Sequence, residues 1–331
     1  MQNLKSSNAR RKKIFYYLYY LPKVFFLPSI LSRIHLKYIF KNDNYSERYI
    51  ESRVKYYFKK TSSFKVSSRS KDLSKLLWNQ ISKNKQNSHF IDLYLLLKFF
   101  KQKNKVDFIY SSKEYIDSAT AKEHPPYPTF VKSRPINSDN KNSILLKINQ
   151  IKLFHFINDP KKFENKKNKA IWRGDIKNNS LREYFVKNFY QSPLLDIGQT
   201  SPKQNVPWIK SFMSIIDQLD YKFIFCIEGK CISTNLYWAM SSNSVCVMPK
   251  PKYESWFMEG KLRDEVHYIQ VKDDFSDAEE KIEFYKNKND KCLEIIENAN
   301  KFVEQFKDKK RERLIQLLIL KQYFELTGQY E

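Results

Sequence analysis

The sequence predicts an α/β protein in which a parallel sheet is covered by helices on both faces. From about residue 166 onward, short apolar strands alternate with helical segments, and this alternation is typical of parallel sheets. Glycine is scarce: all five glycines lie at or beyond Gly174, and three of them fall at the ends of predicted strands. The 331 residues exceed the ~250–300 at which one hydrophobic core stops growing, so two domains are expected. A hydrophobic content of 41% excludes a disordered chain.

The first half of the chain predicts scaffold helices and one short strand. Apolar residues recur every three or four positions in residues 49–60 and 89–102, which indicates helices. Residues 106–112 are predicted to form a short buried strand, and the acidic stretch that follows contains Glu114 and Asp117.

The second half predicts the parallel sheet itself. Its predicted strands are residues 170–172, 194–198, 221–229, 244–251 and 267–271, and its predicted helices are 180–190, 206–219, one that opens on Ser233 and one with Ser276 as its N-cap. Gly174, Gly198 and Gly229 lie at strand ends, where ligands of such sheets bind. The sequence therefore predicts a site along this edge.

The net charge of +24 first suggests nucleic acid or an anionic membrane as a partner. However, only twelve residues are Arg and 48 are Lys, whereas proteins that contact phosphates and bases favour the bidentate Arg fork. Nucleic acid is therefore not expected as a partner, and a non-catalytic nucleic-acid-binding protein is the less favoured alternative.

Residues 1–45 form a basic, aromatic segment. Residues 1–60 hold fourteen Lys and Arg against three Asp and Glu, and the apolar stretch 14–31 is interrupted by Pro22, Lys23 and Pro28. These interruptions disfavour a membrane-spanning helix. Two interpretations stay open at equal weight: a segment that lies on an anionic membrane surface, and a buried first helix.

Several common site types are disfavoured by motif. The four cysteines show no C-x2-C spacing, which disfavours zinc, and no D-x-D motif occurs, so a metal on the diphosphate is not implied. Neither a Walker motif nor G-x-G-x-x-G is present. The segment EGKCISTNLYW (228–238) is similar to a phosphate cradle, because it places Ser233 and Thr234 at a predicted helix N-terminus.

Four motifs in this order resemble the family 90 glycosyltransferases. They are KAIWRGD (169–175), YKFIFCIEG with STNLYWAMSSNSVCVMPKP (221–251), ESWFMEGKL (254–262) and HYIQVKDDFSD (267–277). The resemblance spans roughly residues 49–328 and is strongest to the bacterial lipopolysaccharide core glycosyltransferases, which are related to protein O-glucosyltransferases and capsule-associated xylosyltransferases.

This resemblance implies a GT-B fold, in which two Rossmann-like domains face each other across a cleft and C-terminal helices cross back. The expected parts are a membrane-proximal segment (1–45), an acceptor-side domain (46–165), a nucleotide-sugar-binding domain (166–308) and returning helices (309–331).

The implied reaction is inverting and metal-independent. A UDP-sugar is the expected donor and no other cofactor is expected. A lipopolysaccharide or other cell-surface glycan is the expected acceptor, at the cytoplasmic face of the inner membrane. A protein O-glycosyltransferase of the same fold is the alternative.

The resemblance also implies roles for individual residues. Arg173 and Arg182 would bind the diphosphate beside Gly174 and Gly229, and Glu228 would hold sugar or ribose hydroxyls. Further donor contacts would come from Ser233, Thr234, Asn235 and His267. The catalytic base would be Glu114 or Asp117, and the choice between them is open.

Overall fold

The computed structural model describes residues 14–23, 29–41, 44–68, 70–72, 75, 88–101, 103–109, 127–200 and 206–330. The chain divides into two compact units. The first comprises Met1–Leu153 together with Asp308–Glu331, and the second comprises Phe154–Lys307.

The first unit contains a small parallel sheet and several helices. Residues 14–23 are helical, and the helices that follow are α1 (Ser29–Phe40), α2 (Glu47–Tyr57) and α3 (Ser88–Leu97). Its strands are β1 (Phe108–Ile109), β2 (Thr129–Val131), β3 (Ser133–Pro135) and β4 (Ser143–Leu145). Strands β1, β2 and β4 pair in parallel in that order.

The second unit is built on a five-stranded sheet whose strand pairs are all parallel. The sheet contains β5 (Lys167–Gly174), β6 (Leu195–Gln199), β7 (Tyr221–Phe225), β8 (Val245–Pro249) and β10 (Ile269–Val271), whereas β9 (Tyr253–Ser255) lies outside it. Its α-helices are α4 (Ser180–Phe189), α5 (Ile215–Gln218), α6 (Leu236–Ala239), α7 (Ala278–Tyr285) and α8 (Asn289–Glu304), with 3-10 turns at Phe163–Asn165 and Glu259–Lys261. The α/β class with a parallel sheet is confirmed.

The strand order of this sheet is β10-β8-β7-β5-β6. After β5 the chain first adds β6 on one side and then crosses to β7 on the other side, so the direction of winding reverses between β5 and β7. At such a reversal the loops that leave the two strands diverge and open a crevice at the carboxyl edge of the sheet. The fold therefore places a crevice where β5 and β7 end.

The core of the second unit explains why its strands are continuously apolar. Every residue of β7 is buried, and Phe223, Phe225 and Val247 pack in one cluster with Phe185 of α4 and Ile295 of α8. A parallel sheet covered on both faces cannot alternate apolar and polar residues, because neither face meets water.

The last helix, α9 (Lys309–Leu326), belongs to the first unit. Asp308 caps it by accepting hydrogen bonds from the backbone N–H groups of Lys310 and Arg311. The Arg53 guanidinium of α2 lies 3.1 Å from the Glu312 carboxylate, and both side chains are buried. A charged pair inside the core thus fixes α9 on α2.

Several sequence predictions about elements of the second unit were wrong in extent or in the N-cap residue, and the strand predicted at 221–229 ends at Phe225. The predicted helix 206–219 is reduced to α5, and the helix predicted to open on Ser233 begins at Leu236 with Asn235 as N-cap. The strand predicted from His267 begins at Ile269, and the N-cap of α7 is Asp277 instead of Ser276.

Local hydrogen bonds account for the two shortened helices. The backbone of Gln199 at the end of β6 exchanges hydrogen bonds with Trp208 and Lys210, so residues 208–210 extend the sheet edge. Helix α5 starts only where Ser214 and Asp217 form a capping box. Ser233 donates its hydroxyl to the Asn235 side chain and caps no helix.

Within the described residues, no helix is both long enough and apolar enough to cross a membrane.

We predict that Lys166→Gln destabilises the chain by about 3–5 kcal/mol, because breaking a buried ion pair leaves an uncompensated charge. The Lys166 ammonium lies 2.6 Å from the Asp159 carboxylate, and both side chains are almost completely buried. The free energy of unfolding in urea measures the loss.

Lys161→Gln is the matched control for this prediction. Lys161 pairs with Asp220 at 2.7 Å, but both side chains are about 40% exposed. An exposed pair contributes at most about 1 kcal/mol. Equal losses from the two variants would contradict the burial argument.

Candidate functional site

A small cavity of about 30 Å³, open to solvent, lies where β7 and β8 end, and we call it the strand-end cavity. Its apolar walls come from Leu181, Cys226, Ile232, Leu236, Met248, Pro249 and Pro251. Its polar lining comes from Glu228, Ser233, Lys250, Lys252, Glu259 and Asp273. Ligand pockets typically combine apolar walls with a few polar groups of this kind.

Glu228 follows β7 and points one carboxylate oxygen at a neighbouring backbone turn. Its Oε1 accepts hydrogen bonds from the backbone N–H groups of Lys252, at 3.0 Å, and Tyr253, at 3.1 Å. Burial raises the pKa of Glu228 to about 7, although these two N–H groups act in the opposite direction. The hydrogen bonds that described residues make to this carboxylate go to Oε1, which leaves Oε2 available to a ligand.

Arg182 on α4 holds the carboxyl end of β7. Its Nη2 donates to the carbonyl oxygen of Ile227 at 2.7 Å, its Nε donates to that of Glu228 at 3.1 Å, and its Nη1 lies 3.3 Å from that of Asp175. Burial lowers the pKa of Arg182. Since a guanidinium has five N–H donors, two remain for a ligand among the described contacts.

Asn179 joins the same strand end to the start of α4. Its side-chain oxygen caps the helix by accepting from the backbone N–H of Arg182, and its Nδ2 donates to the carbonyl oxygen of Gly229 at 2.8 Å. A Cβ atom on Gly229 would lie 3.3 Å from Nη2 of Arg182, closer than ordinary van der Waals contact. Glycine at this position therefore gives the guanidinium room.

Gly174 affects the Arg182 guanidinium indirectly, because it makes room for the ring that packs near this group. A Cβ atom on Gly174 would lie 2.6 Å from the ring of Trp172, which no side chain could accommodate. The Trp172 ring in turn lies 5.8 Å from the Arg182 guanidinium, within the range of a cation–π contact. The two glycines predicted beside the site thus both make space for the group around Arg182.

Arg173, in contrast, is directed away from the cavity lining and into an ion pair. Its Nη2 lies 2.8 Å from Oδ1 of Asp196, and its side chain is 6% exposed. Asp196 also accepts from Lys210 and Tyr221. Although burial opposes it, these partners hold the pKa of Asp196 well below its usual range.

Of the residues in the predicted phosphate cradle, Ser233 lines the cavity, whereas Thr234 and Asn235 do not. Ser233 lines the cavity and donates to Oδ1 of Asn235 at 2.5 Å, while Asn235 donates to the carbonyl oxygen of Phe225 at 2.8 Å. Thr234 is exposed. Because α6 has only four residues, its N-terminus offers little dipole to an anion.

A second carboxyl group, Glu259, lines the cavity. It accepts hydrogen bonds from the backbone N–H of Ser255 at 2.6 Å and from the Ser255 hydroxyl at 2.9 Å, and the Tyr237 hydroxyl lies 3.3 Å away. Burial raises the pKa of Glu259 to about 7 against the hydrogen bonds from Ser255. The ESWFMEGKL motif is thus folded around its own glutamate.

Of the three remaining predicted residues, the structure describes only His267. His267 accepts a hydrogen bond from the backbone N–H of Arg263 and packs against Phe302 of α8, and burial lowers its pKa. It does not line the cavity. Glu114 and Asp117 lie outside the described residues.

The comparisons with known proteins agree with this geometry. The model of glycosyl transferase family 90 matches residues 147–327, which include the whole cavity lining. The O-glucosyltransferase LpsA of Dichelobacter nodosus is 39% identical over 245 residues, which cover 74% of each chain. Uncharacterized protein 179R of Invertebrate iridescent virus 6 is 32% identical over 97 residues, 27% of this chain and 8% of the viral protein.

The chain belongs to glycosyl transferase family 90. Membership in this glycosyltransferase family implies a sugar donor and an acceptor. The structure brings two of the predicted donor residues, Glu228 and Ser233, into one cavity and places Arg182 and Gly229 beside it.

Four residues at the site were not predicted from the sequence. They are Asn179, Lys252, Glu259 and Asp273. Asn179 gave a local signal, because Asn is a preferred N-cap residue directly before the predicted helix 180–190. Glu259 and Asp273 lie inside two of the family motifs, but no role followed from the motifs alone. Lys252, Glu259 and Asp273 are far from Glu228 along the chain, and the fold brings all four to one cavity.

We predict that Glu228 titrates near pH 7 in the folded family 90 chain. Because its pKa is raised above the usual 4.5, the folded state binds the proton more tightly, so the free energy of unfolding falls as the pH rises from about 4.5 to about 7. Carboxyl ¹³C shifts measure the titration, and Glu228→Gln identifies the resonance. Titration of that resonance near pH 4.5 would contradict the burial.

Proposed function

We propose that this chain is an inverting, metal-independent glycosyltransferase that transfers a sugar from a nucleotide sugar, with UDP-hexose as the donor class. The observation that carries the proposal is the strand-end cavity. It lies within the family-matched region, at the carboxyl edge of a parallel sheet, and combines apolar walls with Glu228 and Ser233.

The donor would contact the lining of this small cavity in two parts. A nucleobase is flat and largely apolar, and would pack against walls such as Leu236 and Met248. The carboxylate of Glu228 would accept hydrogen bonds from ribose or sugar hydroxyls through Oε2. Since an ionised carboxylate is the stronger acceptor, this contact strengthens as the pH rises through about 7.

The diphosphate would be neutralised by cationic side chains. Arg182 has N–H donors beside the cavity, and Lys250 and Lys252 stand in its lining. Lys252 pairs with Asp273 at 2.9 Å in an exposed ion pair that an entering diphosphate could exchange at little cost. Arg173 is the second proposed ligand, and for this role it would have to leave Asp196.

The other family-derived assignments are proposals of the same kind. Gly174, Thr234, Asn235 and His267 complete the proposed donor site. The base that takes the proton of the acceptor hydroxyl would be Glu114 or Asp117, and the two Rossmann-like domains would adopt the GT-B arrangement. Inversion follows if this base and the leaving diphosphate act on opposite faces of the anomeric carbon.

The proposed acceptor is a lipopolysaccharide or another cell-surface glycan or glycolipid. The similarity to the O-glucosyltransferase LpsA supports a hydroxyl acceptor and a glucosyl-type donor. We place the reaction at the cytoplasmic face of the inner membrane, with an anionic membrane surface as the partner of the N-terminal segment.

We predict that Arg182→Gln weakens UDP binding by roughly tenfold or more, since hydrogen bonds to charged groups contribute about 1.5–3 kcal/mol. Isothermal titration with UDP, and the KM for hydrolysis of UDP-glucose, measure the effect. ADP and GDP should bind more weakly than UDP.

Arg263→Gln is the control for this experiment, because it removes an exposed arginine that lies outside the cavity lining. Arg173→Gln is the comparison that separates the two proposed ligands. A loss there means that its guanidinium leaves Asp196 for the diphosphate. Wild-type affinity in Arg182→Gln would overturn the proposed site, and failure of the wild type to bind any nucleotide would overturn the proposed function.

A further inference from the structure

The helical residues 14–23 are fixed to the body of the first unit by two hydrogen bonds. The Tyr16 hydroxyl donates to Oδ1 of Asp92 at 2.6 Å, and Asp92 is 4% exposed. The Lys98 ammonium, just beyond the end of α3, donates to the carbonyl oxygen of Lys23 at 2.9 Å. One contact lies near each end of this helical segment, so its orientation on α3 is set.

Asp92 is itself held in place from the opposite side. Its Oδ2 accepts a hydrogen bond from the backbone N–H of Gln150 at 2.9 Å. The carboxylate therefore joins the 14–23 helix to the turn that follows β4. Burying a carboxylate is costly unless it is hydrogen-bonded. The Tyr16 hydroxyl and the Gln150 N–H together satisfy the buried Asp92 carboxylate, so the 14–23 helix is part of a buried hydrogen-bond network.

The anchored orientation turns large apolar side chains outward. Phe15 is 70% exposed, Leu18 is 66% exposed and Tyr19 is 59% exposed. Their spacing of three and one residues places them on one helical face, next to the face that carries Tyr16. The helix thus packs on the first unit through Tyr16 and Lys23, while the side chains of Phe15, Leu18 and Tyr19 are exposed.

Helix α1 presents a second pair of the same kind. Ile34 is 64% exposed and Tyr38 is 75% exposed, and four residues separate them. Between them, the His35 ring packs 6.3 Å from the ring of Phe99, next to the anchoring Lys98. Both helices thus contact the same end of α3. We call Phe15, Leu18 and Tyr19 of the first helical segment the aromatic face.

The basic residues of the N-terminal sequence indicate which partner fits this face. Four consecutive basic residues, 10–13, directly precede the helix in the sequence, and residues 1–60 carry fourteen Lys and Arg against three Asp and Glu. Aromatic side chains favour the lipid headgroup region, and basic residues favour an anionic leaflet. Apolar contact and charge therefore point to the same partner.

We propose that residues 14–23 form a rigid lipid-docking helix, which the Tyr16–Asp92 hydrogen bond orients so that the aromatic face enters an anionic membrane surface. This deepens the membrane partner of the proposed function and rests on it. What it adds is a defined face and the anchor that sets its direction. The helix lies along the surface and does not span it.

Sedimentation with vesicles tests the proposal. One set is phosphatidylcholine alone, and the other contains about one third phosphatidylglycerol. We expect the wild-type chain to bind the anionic set and to be released by high salt. Phe15→Ser with Leu18→Ser should reduce that binding about tenfold or more, because both side chains lose their apolar contact with the bilayer.

The matched control is Phe212→Ser with Ile216→Ser, which removes side chains that are 60% and 77% exposed in the second unit. This control should bind vesicles like the wild type. Tyr16→Phe keeps the ring and removes the donor, so it should weaken vesicle binding and speed amide hydrogen exchange in residues 14–23. UDP binding should persist in all three variants.

Three results would overturn the proposal. The first is that the wild type shows no preference for anionic vesicles. The second is that the Phe15→Ser, Leu18→Ser double variant binds these vesicles as well as the wild type does. The third is that light scattering shows wild-type dimers that only this double variant dissociates, while the wild type does not bind vesicles. Vesicle binding without nucleotide binding would instead contradict the proposed transferase and leave the docking face intact. Unchanged exchange and binding in Tyr16→Phe would refute the anchor.

Discussion

The hydrogen bonds from Arg182 to the carbonyl oxygens at the end of β7 are the interaction on which the candidate site depends. Strand β7 ends at Phe225, and the carbonyl groups of Ile227 and Glu228 beyond it require donors from elsewhere. Arg182 supplies them to Ile227 and Glu228, and Asn179 adds a donor to Gly229. A single guanidinium thereby fixes the backbone that carries Glu228 into the cavity.

The position of the Arg182 guanidinium explains why Gly174 and Gly229 are glycines better than contact with a ligand alone would. Gly174 lets the Trp172 ring lie under the guanidinium, and Gly229 lets the guanidinium approach the strand end. The winding reversal between β5 and β7 brings these two strand ends together. The site is thus a consequence of topology first and of individual side chains second.

Burial of the two cavity glutamates, Glu228 and Glu259, has a different free-energy cost because their carboxylates differ in hydrogen bonding. Glu259 is satisfied by Ser255 and Tyr237, and it stabilises the turn of its own motif. Glu228 has backbone donors on one oxygen only. A carboxylate that keeps one oxygen unengaged in a partly apolar cavity costs stability, and folds retain such groups mainly where they bind a ligand.

The fold class, the parallel sheet and most strand positions could be predicted from the sequence, because the buried strands are short apolar runs that alternate with helical segments. The ends of elements could not. Residues 208–210 resemble a helix locally, but the open edge of β6 captures their backbone groups. At the site, Glu228 and Ser233 were predictable from the family motifs. The ion pair of Arg173 with Asp196 was not, since only strand register places the two side chains together.

Amide hydrogen exchange with and without UDP tests whether the donor binds in the strand-end cavity. We expect slower exchange at the amides of Lys252 and Tyr253, which hold Glu228, and at residues 226–233. Protection confined to other parts of the chain, with these amides unchanged at saturating UDP, would contradict it.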